Sequence, residues 1–353
     1  MATRTSSPNG PAGLVAISQE TARNNPDMVL GYVCWYTVPN QDIKLSKLRK
    51  EWLYAGLEPM RALDADPTEI DAFKRAVASL KGIERNDQAI DPNTGVRITT
   101  ITETDVRLIT DKGDTVQYQV SRVVRDVKGM EVNYPKALRI WLIKETGEVK
   151  YQMKGDVDFA DASEIVEAFQ ARHSVTSSSV PGDKVRTMVR DYLQDVRDEQ
   201  ARIVGLSGEN LRGKAGGVYF VLAKYLTELE RLEKMLPTLW SGKDPKTGKT
   251  YARQAYLYKL PMANGQYERD MIRAAHIMNS EDDADEVIFD VGKLLRQDRE
   301  RAVRKDVKDK AWRKLHRARA RLLEYEEALG EEIGSARMKI EAMEKQLNKL
   351  PRS

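Results

Sequence analysis

An apolar seam with almost heptad spacing near the C-terminus constrains the fold more than any other feature of the sequence. Its steps of three and four residues predict one long helix over 285–353, with a stutter between Leu329 and Ile333. An amphipathic helix of this length is unstable alone in water, because its apolar side stays exposed. We therefore expect a coiled coil between chains, and antiparallel packing onto the same chain is the alternative. The residues expected at the contact are Leu315, Leu322, Tyr325, Leu329, Ile333, Ile340 and Leu347.

The first part of this predicted helix is strongly basic. Residues 293–321 hold thirteen Lys and Arg side chains against four acidic ones, although the net charge of the whole chain is only +4. Arg313, Lys314, Arg317 and Arg321 fall on neighbouring helical turns, where they can contact a phosphate backbone. The alternative is a solvated face, or one that pairs with acidic side chains of another chain.

A second basic stretch lies in a predicted hairpin over 240–260. Its cations alternate with aromatic residues and are accompanied by one acidic residue, Asp244. Interleaved cations and rings can pair phosphates and stack bases, and the alternative is a solvated hairpin whose tyrosines pack on the domain. The residues expected to bind nucleic acid here are Lys243, Lys246, Lys249, Tyr251 and Arg253.

The same stretch resembles a phosphate-binding P-loop only superficially. Five residues separate Gly242 from the Gly248-Lys-Thr sequence, whereas the motif requires four. The preceding residues 226–236 also have helical spacing, whereas a P-loop follows a strand. We therefore interpret Asp244–Gly248 as a turn.

The residues before the C-terminal helix predict an α+β fold. Short β-prone runs between Asp91 and Met153, such as Val96–Ile101 and Asp105–Thr110, indicate an antiparallel meander. An apolar strand, Val29–Val38, and flanking helices precede this meander. The predicted organisation is a disordered tail (1–24), an α+β domain (25–173), a Ser-rich linker (174–182), a second mixed domain (183–284) and the long helix (285–353).

The sequence predicts no catalytic residues, no cofactor and no metal site. The single cysteine, Cys34, excludes an intramolecular disulfide framework and is predicted to be a core side chain. The acidic run Ser280–Glu286 favours the N-terminus of a helix over a cation site. The glycines of 213–217 favour a tight turn over a phosphate loop. Residues 266–278 are ambiguous, with a strand or a short helix preferred.

Neither a targeting signal nor a membrane span is predicted. The N-terminal residues lack the apolar core of a signal peptide, and the longest apolar runs are far shorter than the roughly 20 residues of a membrane helix. We therefore expect a cytoplasmic protein with no membrane partner, and one cysteine fits that reducing compartment.

Four short stretches carry a resemblance to a family: Cys34–Pro39, Leu48–Leu57, Asp71–Ala76 and Gly216–Val221. They resemble an uncharacterised family of actinobacterial and actinobacteriophage proteins with no established activity. The resemblance implies a bacterial or phage cytoplasmic setting, and it implies no catalytic or binding residues.

These features favour a non-enzymatic, nucleic-acid-associated or scaffold protein that self-associates through its C-terminal helix. DNA or RNA would contact the two basic stretches. One alternative is a purely structural self-assembling protein, phage-encoded or defence-related, whose charges pair between subunits. Another is an enzyme with a carboxylate-based site between two domains, and a pocket with converging acids and a raised pKa would favour it.

Overall fold

The fold is α+β, as predicted. The computed structural model describes residues 16–57, 67–90, 94–125, 131–154, 159–197, 204–211, 217–297 and 305–349. Within them, helices pack on antiparallel sheets. No helix in these ranges is long and apolar enough to cross a membrane.

The elements are numbered here in chain order. The α-helices are α1 Gln19–Asn24, α2 Leu45–Tyr54, α3 Glu69–Ala78, α4 Phe159–Ser177, α5 Gly182–Gln194, α6 Leu226–Leu239, α7 Gln266–Gln297, α8 Lys305–Leu329 and α9 Gly334–Leu347. The strands are β1 Val29–Thr37, β2 Ile43–Lys44, β3 Glu84–Ile90, β4 Arg97–Thr110, β5 Thr115–Arg125, β6 Glu131–Ile143, β7 Val149–Lys154, β8 Ser179–Val180, β9 Glu209–Asn210, β10 Val218–Leu222 and β11 Tyr256–Ala263.

The apolar strand β1 lies inside a four-stranded antiparallel sheet with the order β11-β1-β10-β9. Trp35 of β1 is opposite Val218 on one side and Tyr258 on the other, so both neighbours come from much later in the chain. The predicted grouping of this strand with the meander therefore does not follow the sheets, because local patterns do not show which strands pair. Cys34 is fully buried, as expected for a core side chain, and burial raises the pKa of its thiol to about 12.

The predicted meander is a separate five-stranded sheet with the order β3-β4-β5-β6-β7. Val116 and Val120 of β5 are fully buried, which fits the alternation in the sequence. Helices α3 and α4 cover this sheet, and Phe73 meets Phe169 edge-to-face at 5.7 Å. The two predicted runs at 96–101 and 105–110 form one strand, β4, and β3 was not predicted.

The predicted linker over 174–182 is regular structure instead. Helix α4 extends into it, β8 pairs with β2, and α5 begins at Gly182. Its polar side chains form hydrogen bonds within the fold, since Thr176 Oγ1 donates to the carbonyl of Ala72 on α3 at 2.9 Å. A Cβ at Gly182 would lie 1.9 Å from the carbonyl oxygen of Pro39, so glycine permits this close approach.

The predicted long C-terminal helix over 285–353 comprises the end of α7 and two antiparallel helices, α8 and α9, that pack with α7 of the same chain. Gly330 follows α8 with a φ of +70°, and its N–H donates to the carbonyl of Glu326 at 2.9 Å. A left-handed glycine in this position ends a helix. Arg319 then reaches Glu344 across the resulting hairpin. The predicted stutter is therefore a chain reversal.

The apolar seam is covered inside one chain. Its predicted contact residues all belong to the main apolar cluster, and each exposes at most 5% of its surface. In the structure, α7, α8 and α9 bury this seam against one another and against the main sheet, which is the alternative of packing within the same chain. These residues are Leu315, Leu322, Tyr325, Leu329, Ile333, Ile340 and Leu347.

Two further predictions are corrected. Part of the predicted disordered tail forms α1, whose N-cap Ser18 accepts a hydrogen bond from the N–H of Thr21 at 3.0 Å. Residues 266–278 belong to α7, which continues through Ser280, so the predicted helix start at Ser280 is wrong. Helical spacing of buried Ile272, Ala284 and Val287 explains why this segment is one helix.

Candidate functional site

The edge strand β11 presents a row of exposed rings on one face of the main sheet. Tyr256 and Tyr258 are 43% and 48% exposed and alternate with the buried Leu257. Trp35 of β1 is opposite Tyr258, and the two rings stack with their centroids 5.6 Å apart. The centroids of Tyr256 and Tyr258 lie 6.3 Å apart. We call Trp35, Tyr256 and Tyr258 the aromatic row.

The opposite face of β11 packs inward. Lys259 is largely buried there and pairs with Glu233, and it also lies 3.9 Å from Glu230, both on α6. Over residues 256–260, β11 therefore alternates between a covered face and the open face that carries Tyr256 and Tyr258.

The loop over 241–250 is held by the turn that its sequence predicts. The carboxylate of Asp244 accepts hydrogen bonds from the N–H groups of Lys246 at 2.7 Å and Thr247 at 3.3 Å. Gly248 has a φ of +68°, and its N–H donates to the carbonyl of Asp244 at 2.8 Å. Helix α6 precedes this loop, which agrees with the rejection of a P-loop. The predicted hairpin is only partly correct, because β11 pairs with β1.

Four cations of this loop and of the residues after it extend into solvent. They are exposed and form no ion pair with any residue that the structure describes. The fifth predicted residue, Tyr251, is partly buried and donates its hydroxyl to the carbonyl of Asp42 at 2.8 Å. Burial, with Asp244 and Asp42 nearby, raises the pKa of Tyr251 to about 12. We call the four cations the loop cations: Lys243, Lys246, Lys249 and Arg253.

An open hollow of about 620 Å³ lies where the loop cations meet the aromatic row. Its lining includes Pro39 after β1, together with Arg253 and Tyr256. Because Arg253 is a loop cation and Tyr256 belongs to the aromatic row, a ligand in the hollow would touch both groups.

The predicted nucleic-acid residues of α8 are placed differently. Lys314 Nζ lies 2.6 Å from a carboxylate oxygen of Glu286 on α7. Arg317 lies 3.3 Å from Asp195, which is almost fully buried. Acids from other elements thus neutralise both side chains within the chain.

The other two of the four predicted cations on α8 also make contacts within the chain. Arg321 donates to the carbonyl of Gln194 and lies 3.8 Å from Glu209. Arg313 donates through Nε to the carbonyl of Asp309 in its own helix at 3.2 Å. The charge count predicted a free cationic face on this helix, and the structure turns three of its four named cations toward internal acids.

A buried polar cluster surrounds Glu209 of β9. His276 Nδ1 donates to one carboxylate oxygen of Glu209 at 2.5 Å, and Asn279 donates to the other at 2.6 Å. The ring of His276 stacks on Tyr325 of α8 at 5.0 Å. The cluster therefore joins the main sheet to both α7 and α8.

The two carboxyl groups of this region have pKa values shifted in opposite directions. Burial raises the pKa of Glu209, but Arg321, His276 and the hydrogen bond from Asn279 outweigh it, so the pKa of Glu209 is lowered. Burial raises the pKa of Asp283, and the nearby cations Arg321 and Lys314 offset this only in part.

A raised carboxyl pKa is what a carboxylate enzyme needs, and here it belongs to the partly exposed Asp283. The pair formed by Glu209 and His276 is closed to solvent. Glu209 and His276 expose 0% and 1% of their surfaces. The hollow described above is lined by neither of them. The arrangement acts as an internal contact that fixes α7 and α8 on the sheet.

Several residues of these two regions were not singled out from the sequence. Trp35 was assigned only to a buried strand, because its position beside Tyr258 depends on pairing between distant strands. Glu209 lies in a short segment without periodicity, and no second histidine or cysteine accompanies His276 in the sequence. Residues 212–216 of the predicted glycine turn and 298–304 of the basic stretch lie outside the described residues.

The molecule is thus an α+β protein with a cationic, aromatic surface on its main sheet and a buried polar cluster beneath its C-terminal helices. A family of unknown function (DUF6744) matches residues 29–352, and the chain belongs to this family. Neither the curated proteins nor the solved structures gave a match.

Proposed function

We propose that this protein binds nucleic acid, without catalysis, through the surface formed by the loop cations and the aromatic row. The observation that carries this proposal is the absence of internal ion pairs at these four exposed cations within the described residues. Cations that no internal acid neutralises are available to phosphates, and their binding releases counterions from the nucleic acid. Neighbouring exposed rings supply the apolar contacts that a charged loop alone lacks.

Lys314, Arg317 and Arg321 of α8 are not part of the proposed surface. Lys314, Arg317 and Arg321 are paired inside the chain, so a phosphate would have to displace Glu286, Asp195 or the Gln194 carbonyl. Arg317 and Arg321 lie beside acids that are almost fully buried, and breaking such ion pairs costs several kcal/mol, which a solvent-exposed phosphate contact does not restore. Nucleic acid therefore binds at the sheet and leaves the C-terminal helices in place.

Fluorescence anisotropy with a labelled 20-nucleotide oligothymidylate tests this function across a salt series. Four phosphate contacts predict a slope of log K against log salt of about −3 for a single strand. Reversing Lys243, Lys246 and Lys249 to Glu should weaken binding strongly and flatten the slope by about two.

A matched control has the same change in net charge on other surfaces. Lys81, Lys112 and Lys345 are exposed and lie away from the loop in sequence, so reversing them to Glu should leave the slope almost unchanged. No binding by the wild-type protein at low salt, or equal losses in both triple variants, would refute the proposal.

A further inference from the structure

We infer that the nucleic acid bound by this surface is single-stranded, with its bases stacked on the aromatic row. The inference rests on the proposed function and adds the class of ligand to it. Its support is the arrangement of Trp35, Tyr256 and Tyr258, and not the charge of the loop.

The three rings form one continuous surface. Trp35 and Tyr258 are paired across β1 and β11, with an angle of 19° between their planes. Tyr256 follows on the same face of β11, and both tyrosines leave nearly half of their surface open. Because Trp35 and Tyr258 stack on each other, a base would contact the ring surface that the two tyrosines leave exposed. Such stacking tolerates any base because every base has a π-face.

A duplex cannot use this surface in the same way. Its bases are already stacked on one another, and only their edges face the grooves. Stacking on Tyr258 would require bases to leave the helix, which costs a few kcal/mol for each flipped nucleotide. The exposed rings therefore distinguish single strands from duplexes, whereas the loop cations attract both.

The hollow places a loop cation beside one end of the aromatic row. Arg253 and Tyr256 both line it, so the backbone is held by a cation where the first base meets the aromatic row. From there the row continues through Tyr258 to Trp35. The remaining loop cations lie before Arg253 in the chain and would contact phosphates outside the row.

The test compares labelled oligothymidylate of 20 nucleotides with the duplex that it forms with oligodeoxyadenylate, at one salt concentration. The wild-type protein should bind the single strand more tightly. Tyr258→Ala should weaken single-strand binding about tenfold, which is the effect expected for losing one stacked base. The same substitution should change duplex binding by less than twofold.

Two matched variants separate stacking from other effects. Tyr258→Phe keeps the ring and should retain single-strand binding. Phe289→Ala removes another exposed aromatic side chain, on α7, and should have no effect on either ligand. Circular dichroism melting of each variant checks that the fold is unchanged.

The outcomes distinguish this inference from the proposed function. Binding to neither ligand overturns both. Equal binding to both ligands, unaffected by Tyr258→Ala but lost on reversal of the loop lysines, overturns the inference and leaves the proposed function intact. A dimer in light scattering that Tyr258→Ala abolishes, with single-strand binding unchanged, shows that the row contacts a second copy and also overturns the inference.

Discussion

The loop cations and the cations of α8 show why local charge alone does not identify a binding surface. The helix has the denser positive charge in the sequence, yet Lys314, Arg317 and Arg321 meet Glu286, Asp195 and Glu209 inside the fold. The loop has fewer cations, and its described neighbours leave them unpaired. The first group therefore stabilises the protein, and the second group is available to a ligand.

The largest loss of unfolding free energy should come from removing Glu209, the acid at the centre of the buried polar cluster. Glu209→Ala leaves His276 and Asn279 without their shared acceptor and leaves Arg321 without its buried counter-charge. Removing one partner of a buried ion pair costs about 3–5 kcal/mol. Urea denaturation measures this loss of unfolding free energy. Glu327→Ala is the control, since Glu327 is mostly exposed, and it should cost less than about 1 kcal/mol. Similar small losses in both variants would contradict the structural role of the cluster.

The second largest loss of unfolding free energy should come from a cavity in the apolar seam. Leu315 is fully buried, so Leu315→Ala should lower the unfolding free energy by about 3 kcal/mol. Because the seam is covered within one chain, the mass measured by light scattering should not change. A smaller particle in the variant would instead show that the seam joins chains.

The contributions of Glu209 and Asp283 to the stability of the fold should depend on pH in opposite directions. The pKa of Glu209 is lowered by folding, so its contribution is present above its usual value near 4.5 and is lost as the pH falls through the folded value. The pKa of Asp283 is raised, so folding loses stability as the pH rises from about 3.8 through the folded value.

Denaturation at several pH values separates these contributions. Asp283→Asn should stabilise the protein at pH 7 and bring little change at pH 3, because the wild-type carboxyl is then neutral in both states. Glu209→Gln should be most destabilising at pH 7. Greater destabilisation of Asp283→Asn at pH 7 than at pH 3 would show that the ionised Asp283 is needed by its neighbouring cations.

The smallest effect on stability should come from the loop. Reversing Lys243, Lys246 and Lys249 to Glu removes no internal contact, so the unfolding free energy should change by no more than about 0.5 kcal/mol. Thermal melting of the triple variant measures this. A marked loss of stability would mean that these lysines are structural and would remove the contrast with α8.

The sequence predicted local elements well and their partners poorly. The meander, the strand β1 and the turn at Asp244 follow from alternation and turn residues. The reversal after α8 was missed although Gly330 is a typical helix-ending residue, because a regular seam on both sides suggested continuity. Which strand lies beside β1, and which acids reach Arg317 and Arg321, depend on contacts between residues far apart in the chain.

In the candidate site, too, local features were predictable from the sequence and contacts between distant residues were not. The loop cations could be named from composition, since their spacing and the single acid are local features. Trp35 could not, because its neighbour Tyr258 is brought to it by the pairing of β1 with β11. Tyr251 was named for stacking, but its hydroxyl is held by the carbonyl of Asp42, a contact that only the fold creates.

Lysine acetylation, read by mass spectrometry with and without the oligothymidylate, compares the two basic regions in one sample. We predict that Lys243, Lys246 and Lys249 react readily in the free protein and become protected by the single strand, whereas Lys314 reacts slowly in both samples. Rapid reaction and protection of Lys314, with the loop lysines equally reactive in both samples, would contradict the account.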